Sequence, residues 1–83
     1  MQDCNGIDLA ATGENLHRLR LEHGFRVHDL QMKFGISFQA VYKWERGDGL
    51  PSIEVLLALA KLYGSTVEEL LVQQKAELSS DKT

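Results

Sequence analysis

The stretch from Val27 to Gly47 constrains the fold of this chain most, because it predicts two short helices only three residues apart. Apolar residues recur at helical spacing on both sides of the gap. They are Val27, Leu30 and Phe34 before it, and Ala40, Val41 and Trp44 after it. In the gap, Gly35 suits a turn that a Cβ disfavours, and Ser37 suits a helix N-cap. Two helices joined in this way form a helix-turn-helix, whose second helix fits the DNA major groove.

The size and composition predict one globular domain with no covalent staple. The chain has 83 residues, of which 43% are hydrophobic, too many for a disordered segment. Its one cysteine, Cys4, cannot form an internal disulfide, so the core must depend on packing. No apolar run approaches the ~20 residues that span a bilayer, and no signal-peptide pattern opens the sequence. We therefore expect a cytoplasmic protein without a membrane partner.

The charge is acidic overall but is distributed unevenly. The formal net charge is −3, which does not favour contact with phosphates. Residues 15–50 nevertheless carry six Lys and Arg against four Asp and Glu, whereas both flanking segments are net acidic. The positive charge therefore lies with the helix-turn-helix, and it predicts modest rather than strong nonspecific DNA affinity.

Helical spacing and capping residues predict an all-α domain of five helices. Gly24 and Gly64 suit helix C-termini, Ser52 suits an N-cap, and Thr66 with Glu69 forms a capping-box pattern. The predicted segments are an N-terminal arm at 1–12, helices at about 13–23, 27–34, 38–46 and 53–63, a fifth helix opening at 67, and a flexible polar tail at 74–83. The domain itself is predicted at 13–73, with the helix-turn-helix at about 27–46.

Several separated blocks resemble the lambda-repressor-like helix-turn-helix family, also called the XRE or Cro/CI family. They are LHRLRLEHGF, DLQMKFGIS, AVYKWERG, LPSIEVLLALAKLYG and VEELL, in family order and spacing across roughly residues 13–72. The DLQ-x-x-FG and A-x-YKW blocks resemble a subgroup of small stand-alone regulators. The resemblance implies a five-helix fold, transcriptional regulation, here as a repressor, and a homodimer on a near-palindromic operator in double-stranded DNA.

If Val41 and Trp44 face the core, four side chains of the third helix face the groove. These are Phe38, Gln39, Tyr42 and Lys43. Gln39 suits a bidentate contact to adenine and Lys43 suits guanine or a phosphate, and both match base-contact positions of the family. Phe38 departs from the family, where a polar residue is usual. It suits a thymine methyl, or else packing on the protein or on a protein partner.

Three further residues are candidates for phosphate contact. Ser37 both caps the third helix and lies where its N-terminus meets phosphate, and Arg46 ends that helix. Arg26 offers charge at the start of the second helix. The family usually has Ser or Thr as the cap there, followed by a Gln on phosphate, and this chain has Arg26 and Val27 instead. The missing anchor costs on the order of 1 kcal/mol.

The resemblance also implies a partly buried ion pair between Arg20 and Glu45 that orients the third helix. Trp44 is expected in the core. The three histidines lack the spacing of metal ligands and are expected to be solvated, and no residue pattern predicts a metal, a cofactor or an enzyme. A protein-interaction module on the same fold, such as an antitoxin or anti-repressor partner, stays open as an alternative. Net acidity, the missing Gln and the apolar Phe38 favour it.

Overall fold

The computed structural model describes residues 6–74, which form five helices. They are α1 (Leu9–Glu22), α2 (Val27–Phe34), α3 (Phe38–Glu45), α4 (Ile53–Leu62) and α5 (Val67–Leu70). The prediction of a five-helix, all-α fold is confirmed. No helix of the described part is long and apolar enough to cross a bilayer.

Helix α1 begins at Leu9, so the prediction that it begins near Gly13 is wrong. Asp8 is its N-cap, and the Asp8 carboxylate accepts a hydrogen bond from the Ala11 amide at 2.9 Å. The end of the predicted arm is therefore helical. Gly13 lies inside the helix for a reason of packing, because a Cβ there would lie 2.4 Å from the carbonyl oxygen of Trp44. The glycine lets α1 approach the end of α3 closely.

The predicted caps of the later helices are present. The Ser37 and Ser52 hydroxyls accept from the Ala40 and Val55 amides at 3.1 and 3.3 Å. At α5 the Thr66 hydroxyl accepts from the Glu69 amide at 3.1 Å, and the Glu69 carboxylate accepts from the Thr66 amide at 3.0 Å. These bonds satisfy amides that the helix cannot pair internally, and so fix where each helix begins.

After α5 the chain becomes extended and pairs with the segment before α1. Ile7 and Gln73 form an antiparallel bridge, and the Gln74 amide donates to the Gly6 carbonyl at 2.8 Å. The Thr12 hydroxyl, fully buried, accepts from the Val72 amide at 2.8 Å. The expected extension of the fifth helix is therefore wrong, because these partners hold 72–74 extended. The rest of the predicted tail lies outside the described residues.

The core is one cluster beneath the helix-turn-helix. Its buried members come from all five helices and from the α4 C-cap. They are Leu16, Leu30, Val41, Trp44, Leu56, Leu59, Ala60, Tyr63 and Leu70. Because α3 contributes two of these residues, its opposite face is left to solvent.

Candidate functional site

Helix α3 has one buried face and one exposed face. Val41 and Trp44 are only 1% and 5% exposed, and they fasten the helix to the core. The turn before it has Gly35 at φ +64°, the left-handed region that favours glycine. All four predicted base-contact side chains are exposed on the outer face. They are Phe38, Gln39, Tyr42 and Lys43.

Two aromatic rings lie together on that outer face. The rings of Phe38 and Tyr42 are 6.0 Å apart between centroids and meet edge to face at 78°. Their residues are 50% and 45% exposed, so each keeps much of its surface for a partner. Phe38 therefore packs on a neighbour of its own helix and not back into the core.

Lys43 extends along the loop that leads to α4. A Cβ at Gly49 would lie 3.2 Å from Lys43 Cε, so glycine lets the lysine stem lie close to the loop backbone. The same lysine borders a shallow cavity with Trp44 and Leu50. Its position on α3 is thus supported from one side while the residue stays exposed.

The two predicted phosphate-binding arginines both have an acidic neighbour. Arg46 Nε donates to Asp48 Oδ2 at 3.0 Å, and Arg26 Nε lies 3.9 Å from Asp29 Oδ2. Their side chains are 66% and 83% exposed. Exposed pairs of this kind contribute little, so a phosphate can replace either carboxylate at small cost.

The N-terminus of α2 is capped differently from the family pattern. The Arg26 side chain makes no capping bond, as expected. Instead Asp29 reaches back and accepts from the Arg26 amide at 2.7 Å. This carboxylate occupies the end of the helix dipole where the family places phosphate, so it weakens the attraction of that end for an anion.

Arg20 and Glu45 form the ion pair that holds the end of α3 to α1. Arg20 Nε donates to Glu45 Oε2 at 2.8 Å, and Nη2 donates to Oε1 at 3.1 Å. Only 8% and 9% of the two side chains is exposed. Arg20 Nη1 also donates to the Phe25 carbonyl at 3.1 Å, so one guanidinium ties α1 both to α3 and to the entrance of α2. The hydrogen bond to Glu45 raises the pKa of Arg20, against the opposing effect of burial.

His17 joins this pair, which the expectation of a solvated surface histidine missed. Its Nδ1 lies 2.8 Å from Glu45 Oε1 and donates there in the tautomer that carries the proton on this atom. The residue precedes Arg20 by three positions and therefore lies on the same face of α1. That spacing was the available signal. His17 is half exposed, so the network begins in the core and ends at the surface.

The other two histidines do not assemble a site. His23 Nδ1 lies 2.9 Å from the Leu19 carbonyl oxygen, and its ring lies 5.1 Å from that of Tyr63. His28 is exposed on α2. Within residues 6–74, no group of His, Cys, Asp and Glu could hold a metal ion. The predicted Cys4 lies outside the described residues.

A helix-turn-helix family model matches residues 16–70, which includes α2, α3 and their supporting helices. The chain belongs to the lambda-repressor-like helix-turn-helix family. This confirms the resemblance that the sequence blocks indicated. The match includes the Arg20–Glu45 pair and every residue of the outer face of α3.

Individual relatives agree with this assignment. The HTH-type transcriptional regulator DdrOP3 of Deinococcus deserti is 40% identical over 70 residues, covering 84% of this chain and 53% of that protein. The crystal structure of the restriction-modification controller protein C.AhdI from Aeromonas hydrophila matches with a TM-score of 0.66 at 30% identity, over 76% of this chain and 96% of that one. The BldD DNA-binding domain of S. venezulae matches with a TM-score of 0.63 at 30% identity, over 77% and 96%.

The chain spans about half or less of the length of the first curated relatives that it matches. What it shares with those helix-turn-helix proteins is therefore the domain described above.

Proposed function

We propose that this chain binds double-stranded DNA in a sequence-specific way and regulates transcription, with α3 in the major groove. The observation that carries the proposal is the division of α3 into a face fixed in the core and a face with four exposed side chains. Membership of the helix-turn-helix family and the relatives named as transcriptional regulators support it. The proposed activity is binding alone, with no catalytic step, metal or small-molecule cofactor.

The contacts follow from the chemistry of the exposed groups. Gln39 pairs with the N6 and N7 edge of adenine, and Lys43 reaches guanine or a phosphate. Phe38 packs against a thymine methyl, and Tyr42 offers its hydroxyl to a base edge or phosphate. Three residues contact phosphates in this proposal. They are Ser37, Arg46 and Arg26.

The proposal includes a homodimer that acts as a repressor in the cytoplasm by occupying a near-palindromic operator. One domain of this size makes few phosphate contacts, so two copies on two half-sites are needed for tight binding. A two-fold protein reads a two-fold site, which explains the expected palindrome.

The exposed pair of Phe38 and Tyr42 favours a second candidate, a protein-interaction surface on the same fold. Two aromatic rings side by side are typical of the centre of a protein interface. On DNA the same rings lie beside thymine methyls. The two candidates therefore predict different partners for one face.

Selection of binding sites from random duplex DNA tests the proposal. We expect an enriched near-palindromic site whose affinity falls steeply as the salt concentration rises. Gln39→Ala should relax the preference at one base pair in each half-site, costing about 1–3 kcal/mol there. If no sequence is enriched, and a co-purifying protein is lost on Phe38→Ala, the interaction surface is the correct function.

A further inference from the structure

Helix α4 and the residue group before it present an apolar row to solvent. Leu50, Ile53 and Leu57 are 42%, 62% and 54% exposed. The last two are four residues apart and so lie one above the other on the helix. We propose that this α4 outer row (Leu50, Ile53 and Leu57) is the surface through which two copies of this chain associate. The proposal rests on the proposed function in that it locates the dimer contact, but the association itself does not require DNA.

The charges that border the row suit a second copy related by two-fold symmetry. Glu54 and Lys61 are both exposed on α4 and lie three residues before Leu57 and four residues after it. When two α4 helices cross antiparallel with Leu57 at the axis, Glu54 of each copy faces Lys61 of the other. The apolar contacts lie at the centre and two opposite-charge pairs lie at the rim, which is the composition of a specific interface.

Other exposed surfaces fit a second copy less well. Helix α5 has only four residues, its Leu70 is fully buried, and its exposed residues include Glu68 and Glu69. A two-fold contact there brings carboxylates together, which opposes association. Met32 and Leu21 are strongly exposed but lie on α2 and α1, apart from the row, and single exposed apolar residues are normal.

The position of the row links the dimer to DNA reading. A short loop joins α3 to α4, and Leu50 in that loop belongs to the row. Association through α4 therefore fixes the relative position of the two α3 helices, which sets the spacing of the half-sites. The Arg20–Glu45 pair then transmits a fixed orientation within each copy.

Sedimentation velocity of the full chain without DNA, from micromolar to millimolar concentration, tests the interface. The wild-type chain should shift from monomer to dimer, and Leu57→Glu should raise the dissociation constant at least about tenfold. Leu57→Ala, which keeps a good helix former, should change it in the same direction. Met32→Glu, at a site of similar exposure outside the row, should leave it unchanged. A wild-type chain that stays monomeric, or a dimer unaffected by both Leu57 variants, overturns the proposal.

A charge exchange tests the pairing itself. Glu54→Lys and Lys61→Glu should each weaken the dimer, because each places like charges opposite one another, whereas the double variant should recover most of the affinity. Circular dichroism confirms that each variant is folded. A double variant no tighter than the single variants contradicts the antiparallel pairing. Dimerisation without DNA binding counts against the proposed function alone, and DNA binding by a monomer counts against the interface alone.

Discussion

The end of α3 depends on a buried pair whose members cannot be removed singly at low cost. Arg20 and Glu45 are each over nine-tenths buried in their side chains, and their charges are matched only by each other and by His17. Removing one leaves the other charged in a site with little water, which costs about 3–5 kcal/mol. Removing both avoids that penalty, so the double change should cost less than the sum of the single changes.

A double-mutant cycle with Arg20→Met and Glu45→Gln, followed by urea unfolding, measures this coupling. Arg18→Ala and Glu22→Ala form the matched control, because that pair is exposed on the same helix and should couple by less than about 1 kcal/mol. Additive effects at Arg20 and Glu45 would show that the pair does not act as a unit.

Tyr63 makes stability fall at high pH. Burial raises the pKa of Tyr63 to about 12 from 10.0, with the negative charge of Glu45 adding to the effect. The folded state therefore holds this proton more tightly than the unfolded state does. The stabilisation is fully present below pH 10 and is lost as the pH rises toward 12, by roughly 2 kcal/mol.

Urea unfolding of the wild-type chain and Tyr63→Phe at pH 8 and pH 11 checks this. The phenylalanine variant should lose less stability over that interval, because it has no proton to release. Tyr42→Phe, at an exposed site, should behave like the wild-type chain. An equal loss in the wild-type chain and in Tyr63→Phe would show that Tyr63 does not titrate in this window.

Single residues differ in how far the sequence reveals them. The burial of Trp44 and the exposure of Lys43 follow from the 3.6-residue period, which is a local property. The place of His17 in the network also follows from local spacing, once the Arg20–Glu45 pair is assumed. The orphaned Trp44 Nε1, buried with no hydrogen-bond partner, has no such local signal, since it depends on what packs around the ring.

Among the elements, the contact between α1 and α3 decides how α3 is presented. A Cβ at Gly13 would lie 2.4 and 2.6 Å from the carbonyl oxygens of Trp44 and Glu45, which are backbone atoms that cannot rotate away. Gly13→Ala should therefore push the two helices apart. Overpacking of this kind costs about 1–3 kcal/mol, partly offset by about 1 kcal/mol from the better helix propensity of alanine.

Thermal unfolding and DNA affinity of Gly13→Ala measure the two consequences together. Both should fall, because the strain acts on the helix that carries the proposed base contacts. Gly6→Ala provides the control, since a Cβ there would meet nothing closer than 3.9 Å. A Gly13→Ala variant as stable as the wild-type chain would contradict the close approach of α1 and α3.

The sequence predicts element type better than element ends. The centres of all five helices follow from spacing and caps, and α2 and α3 are predicted nearly to the residue. The start of α1 is missed because Gly13 looks like a helix breaker, whereas its role is a contact with a helix some 30 residues away in the chain. The Ile7–Gln73 bridge is missed because a single pair of distant residues leaves no period in either segment.

At the scale of the whole molecule, function depends on charge distribution more than on net charge. The chain carries −3 overall, yet Lys43, Arg46 and Arg26 lie on or beside the helix-turn-helix. Two of these cations have acidic neighbours, so Lys43 is the cation on the outer face of α3 with no ion pair among the described residues. It should therefore contribute most to specific affinity among the three.

The most direct test is the affinity of the wild-type chain, Lys43→Ala and Arg18→Ala for the selected duplex over a range of salt concentrations. Each variant loses one positive charge, but only Lys43 lies on the exposed face of α3. Lys43→Ala should weaken binding by about 1–3 kcal/mol and relax the sequence preference, whereas Arg18→Ala should change neither beyond a small electrostatic effect. Equal losses in the two variants, with the sequence preference retained in both, would contradict the reading of DNA by α3.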